Sequence, residues 1–304
     1  MASERWPTLP LKAWSDTYAT VHMWTQIVGK VRMALTPPVN HWWHVPLYVT
    51  SRGLETTPIP YGDDTFEVTF DFIDHALRIA TNDGRTGGFE LAPRSVADFY
   101  REFMAALGGL GITTRIWPVP VEIPNPIRFT EDRQHAAYDR EQVRRCWEIL
   151  VHTDAVFKEF RGGFLGKCSP VHFFWGAFDL AVTRFSGRPV PADGQPKDPV
   201  NREAYSHEVI SHGFWPGSGP LPEAAFYAYA VPEPSGFKEA RVEPAEAYYH
   251  SELGEFILPY EAVRTAVDPA ASIRMFVDST YSQAADLAEW DREALERGPA
   301  TSVG

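Results

Sequence analysis

The chain has 304 residues, of which 44% are hydrophobic and 22% are charged, and its formal net charge is −12. This composition is typical of a globular protein and excludes a disordered, collagen-like or disulfide-scaffold chain. The negative charge disfavours contact with nucleic-acid phosphates and anionic lipid. The N-terminal segment lacks the basic and apolar stretches of a signal peptide, and a pair of cysteines suits a reducing compartment. We therefore expect a cytoplasmic protein without nucleic-acid or membrane partners, present as a monomer or a homodimer.

The first half of the sequence predicts a helix, a series of strands and a second helix. Apolar residues recur at helical spacing from Leu11 to Leu35, and Pro37 and Pro38 end that helix. The aromatic stretch 41–53 is rich in strand formers and predicts a strand. Further strands are predicted at 65–73, 75–83 and 87–91, a helix at 95–111, and an edge strand or crossover at 112–123.

The second half repeats this order after a linker-like stretch at 123–139. Short matches keep one order in both halves; Phe89 and Phe256, for example, each precede a Leu by two residues and a Pro soon after. We predict an α+β fold of two pseudo-repeats, 1–139 and 140–304, each α-β-β-β-β-α with an antiparallel sheet, joined in one compact unit. The alternative is a chance similarity of two supersecondary units. The predicted elements are helix 141–164, strand 169–187, loop 188–201, strands 207–215, 224–231 and 254–258, and helix 272–295.

Longer segments resemble a known family. They include WSDTYATVHMWTQIVGKV at the start of the first segment, and they lie at 14–50, 73–86, 95–107, 166–187, 202–217 and 247–260. These phrases resemble an uncharacterised bacterial family, domain of unknown function 5996, over nearly the whole chain. The resemblance implies no activity, cofactor or catalytic residue, so the function has to come from the residues themselves.

His207, Glu208 and His212 form the first candidate site. Their spacing differs from the HExxH zinc motif, because histidines five residues apart do not share a helix face. On a strand, Glu208 and His212 lie on one face and His207 lies on the other. Acid–base chemistry is one interpretation, and histidines packed near a strand end are the alternative. If a metal is bound, the predicted ligands are Glu208, His212 and His172.

The second candidate site combines His172 and Asp179 in the aromatic stretch 171–183. A continuous central strand would place them on opposite faces. Asp179 is the sole charge in this stretch, so burial without a partner would raise its pKa and suit acid–base chemistry. An ion pair with an arginine such as Arg161 is the alternative. Cys168 could form a nucleophilic pair with His172, although an inert buried thiol is more common.

The third candidate is His41-Trp42-Trp43-His44, at the corresponding place in the first half. On a strand, Trp42 and His44 would face one side, and His41 and Trp43 would face the other. Two tryptophans and two histidines can line a small-molecule cavity, or they can form core with the histidines at its rim. The sequence leaves both interpretations open.

Together these patterns predict a small-molecule-binding protein with an aromatic-lined cavity between the two repeats. The catalytic candidates are His172, His207 and Glu208, and the ligand-binding candidates are Trp42, His44, Trp175, Tyr205 and Asp179. An enzyme using His and Glu acid–base chemistry is the leading hypothesis. A non-catalytic binding or interaction protein and a His/carboxylate metalloenzyme are the alternatives. The substrate and any cofactor stay open.

Overall fold

The computed structural model describes residues 5–191, 197–219 and 221–298. The first four residues of the first predicted repeat, the last six of the second, and 192–196 in the predicted loop 188–201 therefore lie outside the described residues. The α-helices of the described chain are α1 (Leu11–Leu35), α2 (Val96–Gly109), α3 (Arg140–Gly162), α4 (Pro199–Ala204), α5 (Tyr260–Thr265), α6 (Pro269–Leu287) and α7 (Arg292–Leu295). No helix in these ranges is both long and apolar enough to cross a membrane.

The first sheet is antiparallel and has the order β1-β2-β4-β5-β6, with β3 paired to β4. Its strands are β1 (Tyr48–Val49), β2 (Gly53–Glu55), β3 (Ile59–Tyr61), β4 (Asp64–Asp71), β5 (Ala76–Thr81) and β6 (Thr86–Glu90). On β4, Phe66, Val68 and Phe70 are buried while Glu67 and Thr69 are partly exposed. This alternation confirms the predicted strand, because one face of the sheet packs on the core and the other meets solvent.

The second sheet is also antiparallel and has the order β11-β12-β10-β9-β8-β7. Its strands are β7 (His172–Phe174), β8 (Asp179–Pro189), β9 (His207–Trp215), β10 (Ala225–Val231), β11 (Tyr248–His250) and β12 (Glu255–Pro259). The two sheets meet at Leu47 and Phe173. Each of these residues donates its backbone N–H to the carbonyl of the other, at 2.9 and 2.8 Å. This two-bond seam joins the halves of the chain.

The helices form the core with the sheets. α1 is buried along most of its length and contacts α2, α3 and β3. Trp24 of α1 stacks on Phe99 of α2, with ring centroids 4.7 Å apart, and Phe99 also stacks on Phe70 of β4. Polar side chains cap the first turns of α2 and α3. Ser95 accepts a hydrogen bond from the first turn of α2, and Asp139 accepts two from α3.

These elements confirm the α+β class. The predicted order of helix, strands and helix is present in each half, but the strand orders differ, and the duplication stays a prediction. Three predicted elements are wrong. Stretch 41–53 begins with the 3-10 turn Asn40–Trp42. Stretch 169–187 is two strands, β7 and β8, joined by a tight turn. The predicted helix 272–295 is two helices, α6 and α7. Of the two alternatives for 112–123, the edge strand is absent and the irregular crossover remains.

Candidate functional site

The second sheet has one side that its two long helices leave uncovered. On the covered side, the His212 ring lies 4.9 Å from the Phe160 ring of α3, and its Nε2 lies 3.0 Å from the Thr280 hydroxyl of α6. Since strand side chains alternate, the neighbours of His212 point to the opposite side, which we call the outer face. The outer face includes His172, Phe174, Asp179, Ala181, Thr183, Phe185, His207, Val209, Ser211, Gly213, Trp215, Ala225, Tyr227, Tyr229, Val231, Glu255 and Ile257.

The turn between β7 and β8 brings His172 and Asp179 to this same face. His172 pairs with Ala181 and Phe174 pairs with Asp179, and paired residues in antiparallel strands point to the same side. The expectation that His172 and Asp179 face opposite ways is therefore wrong. The chain reverses at Phe178, which has the left-handed φ of 61°. In a single continuous strand, residues an odd number apart would point to opposite faces. The turn breaks this rule for His172 and Asp179.

The middle of the outer face has small side chains. Ala181, Thr183, Ser211 and Gly213 occupy adjacent positions on β8 and β9, and the Thr183 and Ser211 hydroxyls lie 2.9 Å apart. The Tyr227 ring lies directly over Gly213, where any Cβ would collide with it. A glycine is therefore required here, and larger side chains surround a shallow floor.

The carboxyl of Asp179 lies at one edge of this floor. Asp179 is only 8% exposed, and it accepts a hydrogen bond from the Tyr227 hydroxyl. Its pKa is raised to about 7, chiefly by burial and further by the charges of Glu122 and Glu255, while the hydrogen bond from Tyr227 acts in the opposite direction. The proposed ion pair with Arg161 is wrong, because Arg161 donates its Nε–H to the Ser169 carbonyl at 2.7 Å.

Glu122 and Glu255 complete what we call the acidic side: Asp179, Glu122 and Glu255. Glu122 is exposed, comes from the irregular segment before α3, and places its carboxylate against Gly176, which has no side chain to block it. Although Glu122 is exposed as a residue, its carboxylate lies against Gly176, and the resulting desolvation raises its pKa. Burial raises the pKa of Glu255 to about 7. Among the described residues, no lysine or arginine forms an ion pair with any of the three. The acidic side therefore carries uncompensated negative charge when ionised.

Three tyrosines flank the acidic side. The Tyr227 and Tyr229 rings stack with centroids 5.9 Å apart, and the Tyr229 hydroxyl lies 3.0 Å from the Tyr205 hydroxyl. All three side chains are partly exposed. Burial raises the pKa of each phenol, so each stays a neutral hydroxyl. The Tyr227 hydroxyl donates to Asp179, and the Tyr205 and Tyr229 hydroxyls bond to each other, so the three tyrosines and the carboxyl form one hydrogen-bonded and stacked group.

Two further borders of the floor hold what we call the basic side: His41, Lys167, His172 and His207. His172 lies across the β7–β8 ladder from Ala181, and His41 packs on Phe185, beyond Thr183. The Lys167 ammonium donates to His41 Nε2 at 2.7 Å, and His41 Nδ1 lies 3.0 Å from the Ala204 carbonyl. The His41 ring lies 5.7 Å from the His207 ring. The pKa values of both His41 and Lys167 are lowered, chiefly by burial.

The basic side depends on a strained backbone segment. His41 and Trp42 have φ of 60° and 62°, the left-handed region that non-glycine residues rarely adopt. Such strain is often found at functional sites. This turn directs His41 and Trp43 onto the second sheet. The Trp43 ring lies 5.9 Å from the His172 ring and 5.8 Å from the Phe185 ring.

His172 is 1% exposed, and neither of its ring nitrogens has a hydrogen-bond partner. Its ring meets those of Trp43, Tyr48 and Phe174 edge to face, at 5.4 to 5.9 Å. Burial, followed by the charges of Arg32 and Arg161, lowers its pKa to about 3. The imidazole is therefore neutral and carries an unused N–H donor and an unused acceptor.

Two predicted site residues lie on the covered side. Glu208 forms an ion pair with Arg188 at 2.7 Å and accepts a hydrogen bond from Ser186. It lines a small cavity of about 190 Å³ between β9, β10 and the end of α6. His212 is buried against α3 and α6, on the side opposite His172. The structure thus does not bring Glu208, His212 and His172 together, and the described residues include no group suited to hold a metal.

Three predicted ligand-binding residues support neighbouring structure. Trp175 donates to the Val45 carbonyl at 2.8 Å, and Trp42 donates to the Val200 carbonyl at 3.1 Å. His44 Nδ1 accepts from the Val39 N–H at 3.1 Å. Trp42 thereby holds the strained turn against α4, which precedes Tyr205. The thiol of Cys168 is inert at neutral pH, because burial raises its pKa to about 11.

Four of the predicted site residues, His172, Asp179, Tyr205 and His207, do lie at the outer face. Sequence analysis missed Tyr227, Tyr229, Glu122, Glu255 and Lys167. One available signal was the strand AFYAYAV, whose two tyrosines alternate with small residues. Glu122 and Glu255 gave no signal, because only the tertiary fold brings them to this face.

The fold and the site define an α+β protein whose second sheet carries an aromatic face, with carboxyl groups on the acidic side and histidines and a lysine on the basic side. The chain belongs to a family of unknown function, DUF5996, whose model matches residues 6–297. This match confirms the family resemblance found in the sequence. No curated protein and no solved structure matches the chain significantly.

Proposed function

We propose that the outer face of the second sheet binds a small organic molecule that carries a protonated amine. The observation that supports this proposal most directly is the acidic side. Asp179 is nearly buried, and it lies close enough to Glu122 and Glu255 for their charges to raise its pKa. No cation of the described chain compensates these groups. A buried carboxylate without a countercharge either takes up a proton or attracts a cation.

The surroundings favour an organic cation. Tyr227 and Tyr229 place π faces beside the carboxyls, and rings of this kind attract ammonium groups. The Tyr205 hydroxyl adds a hydrogen-bonding group at the same place. Both cysteines are free, which supports the predicted cytoplasmic location as part of this proposal.

Ligand affinity should rise with pH. The pKa values of Asp179 and Glu255 are both about 7, so these groups are largely protonated at pH 5.5 and largely ionised at pH 8.5. An ammonium group binds the ionised carboxylates, whereas an alcohol of the same shape has no such preference. A charge-assisted hydrogen bond contributes about 1.5–3 kcal/mol, which corresponds to roughly 10- to 100-fold in affinity.

The test compares amines with alcohols of the same skeleton by calorimetry. The pairs are benzylamine with benzyl alcohol, tyramine with tyrosol, and putrescine with 1,4-butanediol. At least one amine should bind at least tenfold more tightly than its alcohol, and more tightly at pH 8.5 than at pH 5.5. Asp179→Asn and Glu255→Gln should each remove this advantage, while the exposed control Glu252→Gln should keep it. Equal binding of amines and alcohols, or no effect of both site variants, would contradict the proposal.

An acid–base enzyme is the second candidate function. It is favoured by the pKa of Asp179, since a general base works best when its pKa lies near the operating pH. The Tyr227 hydroxyl holds this carboxyl in place. Mass spectrometry of a bound amine after incubation with the wild type and with Asp179→Asn tests it. Conversion by the wild type alone supports catalysis, and recovery of unchanged ligand from both leaves binding as the function.

A further inference from the structure

Lys167 of the basic side, together with Arg32 and Arg161, whose charges act on His172, carries positive charge that no carboxylate of the described chain pairs with. Arg32 donates to the His44 carbonyl at 2.9 Å and to the Thr57 hydroxyl at 2.8 Å. Arg161 donates to the Ser169 carbonyl, and the Lys167 ammonium donates to His41. Within the described ranges, none of these three cations forms an ion pair with a carboxylate. The region around His172 therefore lacks an anion, just as the acidic side lacks a cation.

His172 is the group through which this region could meet a ligand. It is almost completely buried on the outer face, and its two ring nitrogens have no partner in the protein. Buried polar groups in native proteins are nearly always hydrogen-bonded. Aromatic packing against Trp43 and Tyr48 fixes the ring in place. A neutral imidazole held this way can donate one N–H to an anionic oxygen, and Arg32 and Arg161 supply an attractive potential.

We propose that the ligand is a zwitterion of amino-acid size, with its carboxylate at His172 and its ammonium group at the acidic side. This inference rests on the proposed function, because it assigns the second charged group of the same ligand. His172 lies across the β7–β8 ladder from Ala181, which is two residues from Asp179. Strand spacing and rise per residue then separate the Cα atoms of His172 and Asp179 by about 8 Å. A hydrogen bond at each end leaves the span of an amino acid between them.

The test compares amino acids with the amines that lack their carboxylate. The pairs are phenylalanine with phenethylamine, tyrosine with tyramine, and ornithine with putrescine, measured by calorimetry on the full chain. At least one amino acid should bind the wild type at least tenfold more tightly than its amine. His172→Phe should remove this preference, so that the amino acid binds no more tightly than its amine.

His172→Phe should fold, because phenylalanine keeps the aromatic packing and removes the unpartnered polar atoms. His172→Gln, which retains an N–H donor, should retain part of the preference for the amino acid. His152→Phe makes the same exchange on α3, where His152 packs against Trp6, and should leave the preference unchanged. Thermal unfolding of each variant checks that binding is compared among folded proteins.

Three outcomes would overturn the inference, and they differ in what they imply. If every amine binds as tightly as its amino acid, the zwitterion is refuted and the amine site stands. If His172→Phe changes thermal stability but keeps the preference, His172 has a structural role, such as holding a buried water. If an amino acid binds but neither Asp179→Asn nor Glu255→Gln affects its binding, or if no ligand of either class binds, the proposed function itself is refuted.

Discussion

Replacing Asp179 by Asn should change how the stability of the protein depends on pH. Burial raises the pKa of Asp179 from 3.8 to about 7. Between these values the folded chain holds a proton that the unfolded chain has released, so this group stabilises the fold at low pH. That contribution falls as pH rises through 7, and it is absent above it. Asn cannot titrate, yet its side-chain oxygen can still accept the hydrogen bond from Tyr227.

The size of the effect follows from the shift. A shift of about three pKa units, at about 1.4 kcal/mol each, changes the free energy of unfolding by about 4 kcal/mol over the whole titration. About 2 kcal/mol of this change falls between pH 5.5 and 8.5. Glu255 titrates in both proteins, so the difference between wild type and Asp179→Asn isolates Asp179.

Urea unfolding followed by tryptophan fluorescence at pH 5.5, 7.0 and 8.5 measures this difference at constant ionic strength. The wild type should lose about 2 kcal/mol relative to Asp179→Asn as pH rises over this range. The exposed control Glu252→Gln should follow the wild type. Parallel pH profiles of the wild type and Asp179→Asn would show that the Asp179 carboxyl is not held protonated in the folded protein.

Three further predictions concern single positions around the second sheet. Gly213→Ala should lower the free energy of unfolding in urea by about 1–3 kcal/mol and weaken amine binding, because the new Cβ collides with the Tyr227 ring. An unchanged unfolding midpoint would show that this ring lies elsewhere. Thr280→Val should cost about 1–3 kcal/mol by leaving the buried His212 imidazole without its partner, and a neutral result would argue against that hydrogen bond. Cys168 should react slowly with iodoacetamide at pH 7.5 in the folded protein and rapidly in urea, because its pKa is raised to about 11 in the fold. Intact-mass spectrometry measures the labelling, and rapid labelling of the folded protein would contradict this environment.

Strong periodicity made most of the secondary structure predictable from the sequence. The apolar spacing of Leu11–Leu35 gave α1 at its observed ends, and the alternation of Asp64–Asp71 gave β4 within two residues. Both patterns extend over several repeats of their period, so a single residue cannot change the interpretation. Stretch 41–53 failed for the converse reason. Its aromatic composition favours a strand, but the left-handed φ of His41 and Trp42 comes from packing onto the second sheet.

The site was only partly predictable, because its geometry depends on one short turn. The segment from Phe173 to Asp179 contains no Asn-Gly or Asp-Gly pair, the usual hairpin signal, and its glycine was interpreted as part of a strand. The hairpin there places His172 beside the residues that face Asp179. Residue types therefore identified His172 and Asp179 as candidates, whereas the register that brings them to one face was a tertiary property.

At the seam of Leu47 and Phe173, side chains from both halves of the chain meet in the basic side. His41 and Trp43 come from one side of it, and Lys167 and His172 come from the other. A chain cut near residue 139 would separate Lys167 from His41, and His172 from the Trp43 ring that packs against it. Neither fragment would keep the whole basic side, so the proposed recognition of an anion there requires the intact polypeptide or two fragments that reassemble.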